Sequence, residues 1–133
     1  MNELEGFVLY RPRNLGTYSA YISVSSKYIR ISSLALESLG SPDYVLCFTD
    51  EKKRRLMIKK ADKSMENIIQ LRAVVNTKDT RRSAIWSKGL VEMCRKMGGI
   101  SDQKVTVLFP GHAVGDVPGT VIFELSRPME REK

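Results

Sequence analysis

The residue types that could carry catalysis are few in this sequence, and they are scattered. His112 is the only histidine, and it shares a predicted loop with Asp116. A hydrolytic dyad needs a nucleophile beside an oriented base, and no Gly-x-Ser-x-Gly or comparable motif supplies one. One histidine with Cys47 and Cys94 cannot complete a four-ligand zinc shell. The glycine-rich run 110–119 lacks the Gly-Lys-Ser/Thr ending of a phosphate-binding loop. We therefore predict a protein that is not an enzyme and that needs no metal or cofactor.

The two cysteines and the N-terminus bear on the cellular compartment. Cys47 lies in a strand-like run and Cys94 in a helix-like run, which favours buried, reduced thiols; a disulfide or a reactive thiol is the alternative. Residues 1–5 lack the basic start and apolar block of a secretory signal. The longest uncharged runs are too short to cross a bilayer. These patterns predict a cytoplasmic protein without membrane contact.

Basic residues are the more informative chemical feature. The 133 residues carry a net charge of +7, and the excess is divided between the two halves of the chain. Such a surface favours anionic partners, although the same charge also serves solubility. The densest basic run is Lys52-Lys53-Arg54-Arg55. This run could neutralise phosphates, or it could be a solvated hairpin tip that protects a sheet edge.

The first half of the chain predicts two strands, a short helix and two more strands. Residues alternate between apolar and polar from Thr17 to Val24 and again from Tyr28 to Ser32, which is typical of half-buried strands in a hairpin. Ser32 or Ser33 can cap a helix that continues to Leu39. The run 44–48 is apolar on both faces and predicts a strand buried on both sides. Residues 56–58 predict the fourth strand. An edge strand is predicted ahead of this unit at Phe7–Tyr10.

The second half has the same order of predicted elements. Residues 68–75 could form a strand or a helix, and their β-branched content favours a strand. Further strands are predicted at 83–86, 105–109 and 120–125, with a helix over Lys88–Met97 that Ser87 can cap. Residues 110–119 are predicted to be a long loop between the last two strands. The corresponding division of the chain is an N-terminal segment 1–16, a first unit 17–62, a linker 63–67, a second and degenerate unit 68–126, and a frayed tail 127–133.

The two halves match element for element. Ile31–Glu37 corresponds to Trp86–Glu92, the strand 44–48 to 105–109, and the strand 56–58 to 121–123. A unit of this size buries too little surface to be stable alone. Two copies that supply strands to one shared barrel would remove that difficulty. The alternative is that two stretches of the same ββαββ order match by chance.

Four short segments of the first unit form a recognisable pattern: Ile29-Arg30-Ile31-Ser32, Leu36–Gly40, Asp43-Tyr44-Val45 and Leu56-Met57-Ile58-Lys59. In these segments the unit resembles the AbrB/SpoVT/MazE-type swapped-hairpin family of bacterial regulators and antitoxins. The chain is also similar to small accessory proteins of phages and integrative elements of Gram-positive bacteria. The resemblance implies a mainly β fold with short helices, in which two ββαββ repeats of one chain form a swapped-hairpin barrel as a pseudo-dimer. It also implies DNA binding.

The resemblance predicts where nucleic acid would bind, but it carries over no arginine. The positions of the family's DNA-contacting arginines fall on Tyr21, Tyr28, Leu36 and Glu37. In the swapped-hairpin architecture the first-hairpin turns lie on the nucleic-acid face, so we predict phosphate contacts from the basic residues of these turns: Lys27, Arg30, Arg81, Arg82 and Lys88. Secondary contacts are predicted from Tyr21 and Tyr28, which could stack on bases or pack across the hairpin, and from Lys52, Lys53, Arg54 and Arg55.

Two hypotheses about function follow. The first is a non-enzymatic, DNA-binding protein of the transcription-regulator type, with duplex DNA as its partner. The second is a structural or protein-interaction module of a mobile genetic element, whose partner is another protein or a second copy of the chain. A regulator needs its basic residues to converge on one face, so the position of those residues distinguishes the two.

Overall fold

The fold is mainly β, with eight antiparallel strands and two short helices in the described part of the chain. The computed structural model describes residues 3, 5–8, 20–74, 81–102 and 104–129. In chain order the elements are β1 (Tyr21–Val24), β2 (Ile29–Ile31), α1 (Ser33–Ser38), β3 (Tyr44–Asp50), β4 (Arg55–Ala61), β5 (Ile69–Gln70), β6 (Ala84–Ile85), α2 (Lys88–Met97), β7 (Val107–Ala113) and β8 (Thr120–Glu124).

The strands form one sheet that is nearly closed into a barrel. Their order is β5-β3-β4-β8-β7-β1-β2-β6. The two outermost strands, β5 and β6, are connected through a single bridge, in which the Arg72 amide donates to the Ala84 carbonyl at 2.9 Å. Hairpins from the two halves of the chain alternate around the sheet, since β3–β4 is followed by β8–β7 and then by β1–β2. Both halves therefore supply strands to one sheet.

The core lies inside the sheet and follows the predicted alternation. Ile22 and Val24 of β1 pair with Ile31 and Ile29 of β2, and all four side chains are buried. The residues between them face outward, as the period of two requires. The inward residues of the other strands complete the barrel interior, namely Val45, Leu56, Ile58, Ile85, Phe109, Val121 and Phe123.

Both helices begin at the predicted serines. The Ser32 side chain accepts from the Ala35 amide at 3.4 Å, and the Ser87 side chain accepts from the Leu90 amide at the same distance. These bonds satisfy amides in the first helical turn that have no partner within the helix. After α1 the chain turns at Gly40, whose φ is +85°, a conformation in which a side chain would be strained. Leu36 and Leu39 of this region are buried, so packing holds the short helix.

The loop predicted at 110–119 is partly a strand. β7 begins at Val107, two residues later than predicted, and extends to Ala113. It pairs with β1 as far as Pro110 and with β8 from Gly111 onward. The strand can contain a proline and a glycine here because the ladder changes partner between them, where a bend is tolerated. The prediction of a loop from these two residue types was wrong for 110–113.

Other strand predictions were wrong in part. Phe7 and Val8 are exposed and form no strand, while Leu9 and Tyr10 lie outside the described residues. Phe48 is 45% exposed, so β3 is not buried on both faces, since a barrel wall has only one inner face.

Toward the ends of the second half, the pairing also differs from the predictions. In the predicted strand 68–75, β5 covers only Ile69–Gln70, followed by the bridge at Arg72; residue 75 lies outside the described part of the chain. Met129, predicted to be in a frayed tail, donates its amide to the Leu108 carbonyl at 2.7 Å. Neither of the two described helices has the length and apolar character needed to cross a membrane.

Candidate nucleic-acid interface

The pairing of β2 with β6 collects all five predicted phosphate-contacting residues. Arg30 is the central residue of β2, and it pairs with Ala84 of β6. Because the two strands are antiparallel, Lys27, just before β2, and Lys88, just after β6, lie at the same end. Arg81 and Arg82 precede β6 and lie at the other end. We call these five residues the basic strip.

The basic strip is accessible and of a useful length. Lys27, Arg81, Arg82 and Lys88 are exposed and Arg30 is half-buried. The extended segment 28–32 runs alongside it, and five residues of extended chain cover roughly 15 Å. Positive side chains spaced over that length can contact several phosphates of one nucleic-acid segment.

A cavity of about 350 Å³ lies on the outer face of β1 and β2, within the basic strip. Arg30 and Arg81 both line it. The Arg81 guanidinium donates to the Ser33 hydroxyl at 2.6 Å, which positions that side chain at the cavity. The other lining residues are Tyr21, Ser23, Ile31, Ser32, Ser33 and Leu108. Two guanidinium groups beside serine hydroxyls form a donor-rich surface that suits an anion.

Tyr21 and Tyr28 occupy different environments on this face. Tyr21 lines the cavity, and its backbone amide donates to the Ser32 hydroxyl at 3.0 Å. Tyr28 is stacked against Trp86, with ring centroids 4.8 Å apart and a tilt of 39° between the planes. Ile29 pairs with Ile85 in an antiparallel ladder, so the next positions along it, residues 28 and 86, lie opposite each other. Tyr28 therefore packs against a neighbouring strand, but that strand is β6 and not β1, its partner in the predicted hairpin.

Trp86 is a surface residue that the sequence analysis did not select. It was assigned to the end of the predicted strand 83–86, and it was matched with Ile31 in the first half. Ile31 is buried, whereas Trp86 is 38% exposed. The β2–β6 register, which only the fold reveals, places it beside Lys27 and Lys88.

Asp43 reduces the positive charge at one end of the basic strip. Its carboxylate lies 3.5 Å from the Arg82 guanidinium, and both side chains are more than half exposed. An ion pair this exposed contributes little to stability, because water and salt screen it. A phosphate can compete with the carboxylate for Arg82.

The second basic cluster, Lys52–Arg55, is partly occupied by structural contacts. Arg54 Nε donates to the Met97 carbonyl at 2.5 Å, at the C-terminal end of α2. The Arg55 guanidinium contacts the Asp50 carboxylate at 2.9 Å. This hydrogen bond is the main reason that the pKa of Asp50 is lowered. Lys52 and Lys53 are exposed on the turn between β3 and β4.

The two basic regions lie at opposite ends of α2. Lys88 is the first residue of this helix, while Arg54 contacts its last residue, Met97. A helix of ten residues is about 15 Å long. One short nucleic-acid segment along β2 and β6 therefore need not reach the β3–β4 turn.

The remaining candidate residues form no reactive centre among the described residues. His112 is exposed in β7 and pairs with Ile122. No group of three His, Cys, Asp or Glu side chains in the described ranges could hold a metal ion. Cys47 and Cys94 are unpaired thiols, and burial raises the pKa of each to about 12. Thiols with such a pKa are protonated and poorly nucleophilic at neutral pH.

Comparison with known proteins gives no family for this chain. No family model matches it, and neither a curated protein nor a solved structure is similar to it.

Proposed function

We propose that this chain is a non-enzymatic, DNA-binding protein of the transcription-regulator type that contacts the sugar-phosphate backbone through the basic strip. The observation that supports the proposal is the antiparallel pairing of β2 with β6, because it brings basic residues from distant parts of the sequence close to one another. Convergence of this kind is the feature that separates a nucleic-acid-binding surface from a charge that only serves solubility.

The chemistry of the strip suits phosphate. Arginine can donate two parallel hydrogen bonds to a phosphate, and lysine supplies a flexible point charge. Four or five such contacts to duplex DNA would release condensed counterions and give a log-affinity slope against log salt of about −4. A titration of the protein with labelled duplex DNA at several salt concentrations measures that slope.

The decisive comparison is between two double charge reversals. Lys27→Glu with Lys88→Glu changes the two lysines at one end of the basic strip, and we expect it to weaken duplex binding and flatten the salt slope by about 2. A glutamate at position 88 is compatible with the fold, since it lies in the first turn of α2, where negative charge is favourable. The fold should therefore survive this change, which circular dichroism and thermal unfolding can check.

The matched control is Lys52→Glu with Lys53→Glu. It changes the net charge by the same amount, at exposed positions on the β3–β4 turn, and it spares Arg54 and Arg55, which have structural contacts. We expect it to reduce affinity much less. Equal losses in the two variants would indicate attraction of DNA to any basic surface and would contradict the proposal. Failure of the unmodified protein to bind duplex DNA even at low salt would reject a regulator that acts on duplex DNA.

We further propose that the barrel is a swapped-hairpin fold produced by internal duplication. Exchanging β1 with β5, β2 with β6, β3 with β7 and β4 with β8 leaves the strand order around the barrel unchanged. The helices support the same correspondence. In each helix region, the residues four and seven positions after the capping serine are buried. They are Leu36 and Leu39 after Ser32, and Val91 and Cys94 after Ser87.

The pairing of β4 with β8 gives a further argument for duplication. The sequence match between the halves equates Met57 with Ile122, and these two residues are directly paired. A residue that pairs with its own equivalent lies on a twofold axis, and the flanking pairs are then exchanged by that axis. The match at the helix caps equates residue 29 with residue 84, whereas Ile29 pairs with Ile85. This shift of one residue fits a degenerate second copy.

A cytoplasmic location is also proposed, since both cysteines are free thiols.

A further inference from the structure

An aromatic pair lies at one end of the basic strip. Tyr28 and Trp86 stack across β2 and β6 at 4.8 Å, and more than a third of Trp86 remains exposed. Two large rings held together in this way present a rigid apolar surface to solvent. Lys27 and Lys88 flank the pair in sequence and are both exposed.

The aromatic pair and the cavity belong to the same face of the sheet. Tyr28 and Arg30 are two residues apart in an extended segment, so their side chains point to the same side, opposite the buried Ile29. Arg30 in turn lines the cavity with Arg81. A ligand that follows β2 therefore meets first an aromatic surface between two lysines and then a pocket with two guanidinium groups.

We propose that the preferred ligand of this face is single-stranded nucleic acid, with a base stacked on Trp86 and a neighbouring phosphate in the cavity between Arg30 and Arg81. This inference rests on the proposed function and names the form of nucleic acid that the strip recognises. Duplex DNA hides the faces of its bases within the helical stack, so it can use only the positive charges of the strip. An unpaired base offers its π-face, and aromatic side chains bind such faces with little dependence on sequence.

The size and lining of the cavity fit the phosphate part of this ligand. At about 350 Å³ it is within the range of small-ligand pockets, and it accommodates a phosphate with part of its sugar. Ser33 holds Arg81 through its oxygen, which leaves the hydroxyl hydrogen able to donate to an anion. Tyr21 and Leu108 supply the less polar walls against which a sugar can pack.

Trp86 provides the readout, because it is the only tryptophan in the sequence. Its fluorescence should be quenched by oligothymidylate of about ten nucleotides, since a stacked base lies directly on the indole ring. An abasic oligonucleotide of equal length has the same phosphates without bases, and we expect it to bind more weakly and to leave the emission nearly unchanged. A duplex of ten base pairs should also leave the emission nearly unchanged.

Variants separate stacking from charge. Trp86→Ala should weaken binding of a labelled oligothymidylate by roughly 5- to 100-fold, in the range of one lost base–aromatic stack, and should affect duplex binding much less. Trp86→Phe keeps an aromatic ring and should recover part of the loss. The matched control is Phe48→Ala, which removes an exposed aromatic ring from β3, a strand that pairs with neither β2 nor β6.

The outcomes distinguish this inference from the proposed function. Tight duplex binding through the basic strip, with equal affinity for abasic and base-containing strands, would overturn the single-strand inference and leave the proposed function intact. Quenching of the unmodified protein by oligothymidylate, together with weaker binding of the labelled strand by Trp86→Ala, supports the inference. This holds even if duplex binding is weak. Equal losses in Trp86→Ala and Phe48→Ala, or loss of the fold in Trp86→Phe, would mean that the ring pair only braces β2 against β6. Absence of binding to either form of nucleic acid would reject both proposals.

Discussion

Gly111 lies at a point where the barrel leaves no room for a side chain. A Cβ atom built there would lie 2.4 Å from the Phe123 ring and 3.1 Å from the Ile122 carbonyl oxygen. Phe123 is fully buried, so its ring cannot turn into solvent. Gly111→Ala should therefore lower the free energy of unfolding by about 1–3 kcal/mol, the usual cost of overpacking a core.

Gly115 provides the control for this prediction. It lies in the turn between β7 and β8, and a Cβ atom there would meet nothing within 4 Å. Chemical denaturation of Gly111→Ala and Gly115→Ala compares the two sites under the same conditions. Similar unfolding midpoints for the two variants would contradict the close approach of β7 to Phe123.

The buried thiol of Cys94 and the partly buried thiol of Cys47 predict a loss of stability at alkaline pH. Burial raises the pKa of Cys47 and Cys94 from 9.0 to about 12, so both stay protonated in the folded protein where the unfolded chain would ionise. Their contribution is complete below pH 9 and declines as the pH rises toward 12. Each thiol would reduce stability by at most about 1.4 kcal/mol per pH unit in this window.

Urea unfolding at pH 8, 9, 10 and 11 measures this dependence. Lysine and tyrosine side chains titrate in the same window, so the informative quantity is the difference from a double variant, Cys47→Ala with Cys94→Ala. The variant should be less stable at pH 8, because it loses core packing, and its stability should fall less steeply above pH 9. Parallel curves for the two proteins would show that the thiols are not desolvated.

At the scale of elements, the sequence was most informative where one local signal determines the structure. α2 covers Lys88–Met97, as predicted, because a capping serine and apolar residues at helical spacing coincide there. The β1–β2 hairpin was predicted from alternation alone, and its register places the predicted inward residues Ile22, Val24, Ile29 and Ile31 in the core. These features depend on neighbours in the chain, so they can be read without the fold.

The elements that were predicted poorly depend on distant partners. β7 continues through Pro110 and Gly111 because β1 and β8 pair with it from two sides, and no local pattern reveals those partners. Phe48 lies in an apolar run but faces outward, because β3 forms part of a single-layered wall. The candidate interface shows the same division. The basic residues were selected from the sequence, whereas their proximity and the addition of Trp86 required the β2–β6 pairing.

At the scale of the whole molecule, the alternating hairpins predict that neither half is stable alone. Residues 1–62 contain β1 to β4, but β1 pairs with β7 and β4 pairs with β8. A fragment of these residues would expose both ladders and the inner faces of Ile22 and Ile58. We expect it to show no cooperative thermal transition as a monomer, because so small a unit buries too little apolar surface.

The test is to express residues 1–62 alone and to mix them with a separately expressed fragment of residues 63–133. Cooperative unfolding that appears only in the mixture supports a core shared by the two halves. A well-folded monomer with its own sharp transition from residues 1–62 would contradict the shared barrel and the duplication argument based on it.

The strand order also has a consequence for synthesis on the ribosome. β1 gains its second neighbour only when β7 has been made, since Tyr21 pairs with Pro110. Until then the growing chain carries completed hairpins whose outer edges have unpaired amides and carbonyls. Such edges can pair with other chains. Closure of the barrel must therefore follow translation of almost the whole described segment, and the nascent protein is most vulnerable to aggregation, and most dependent on chaperones, in that interval.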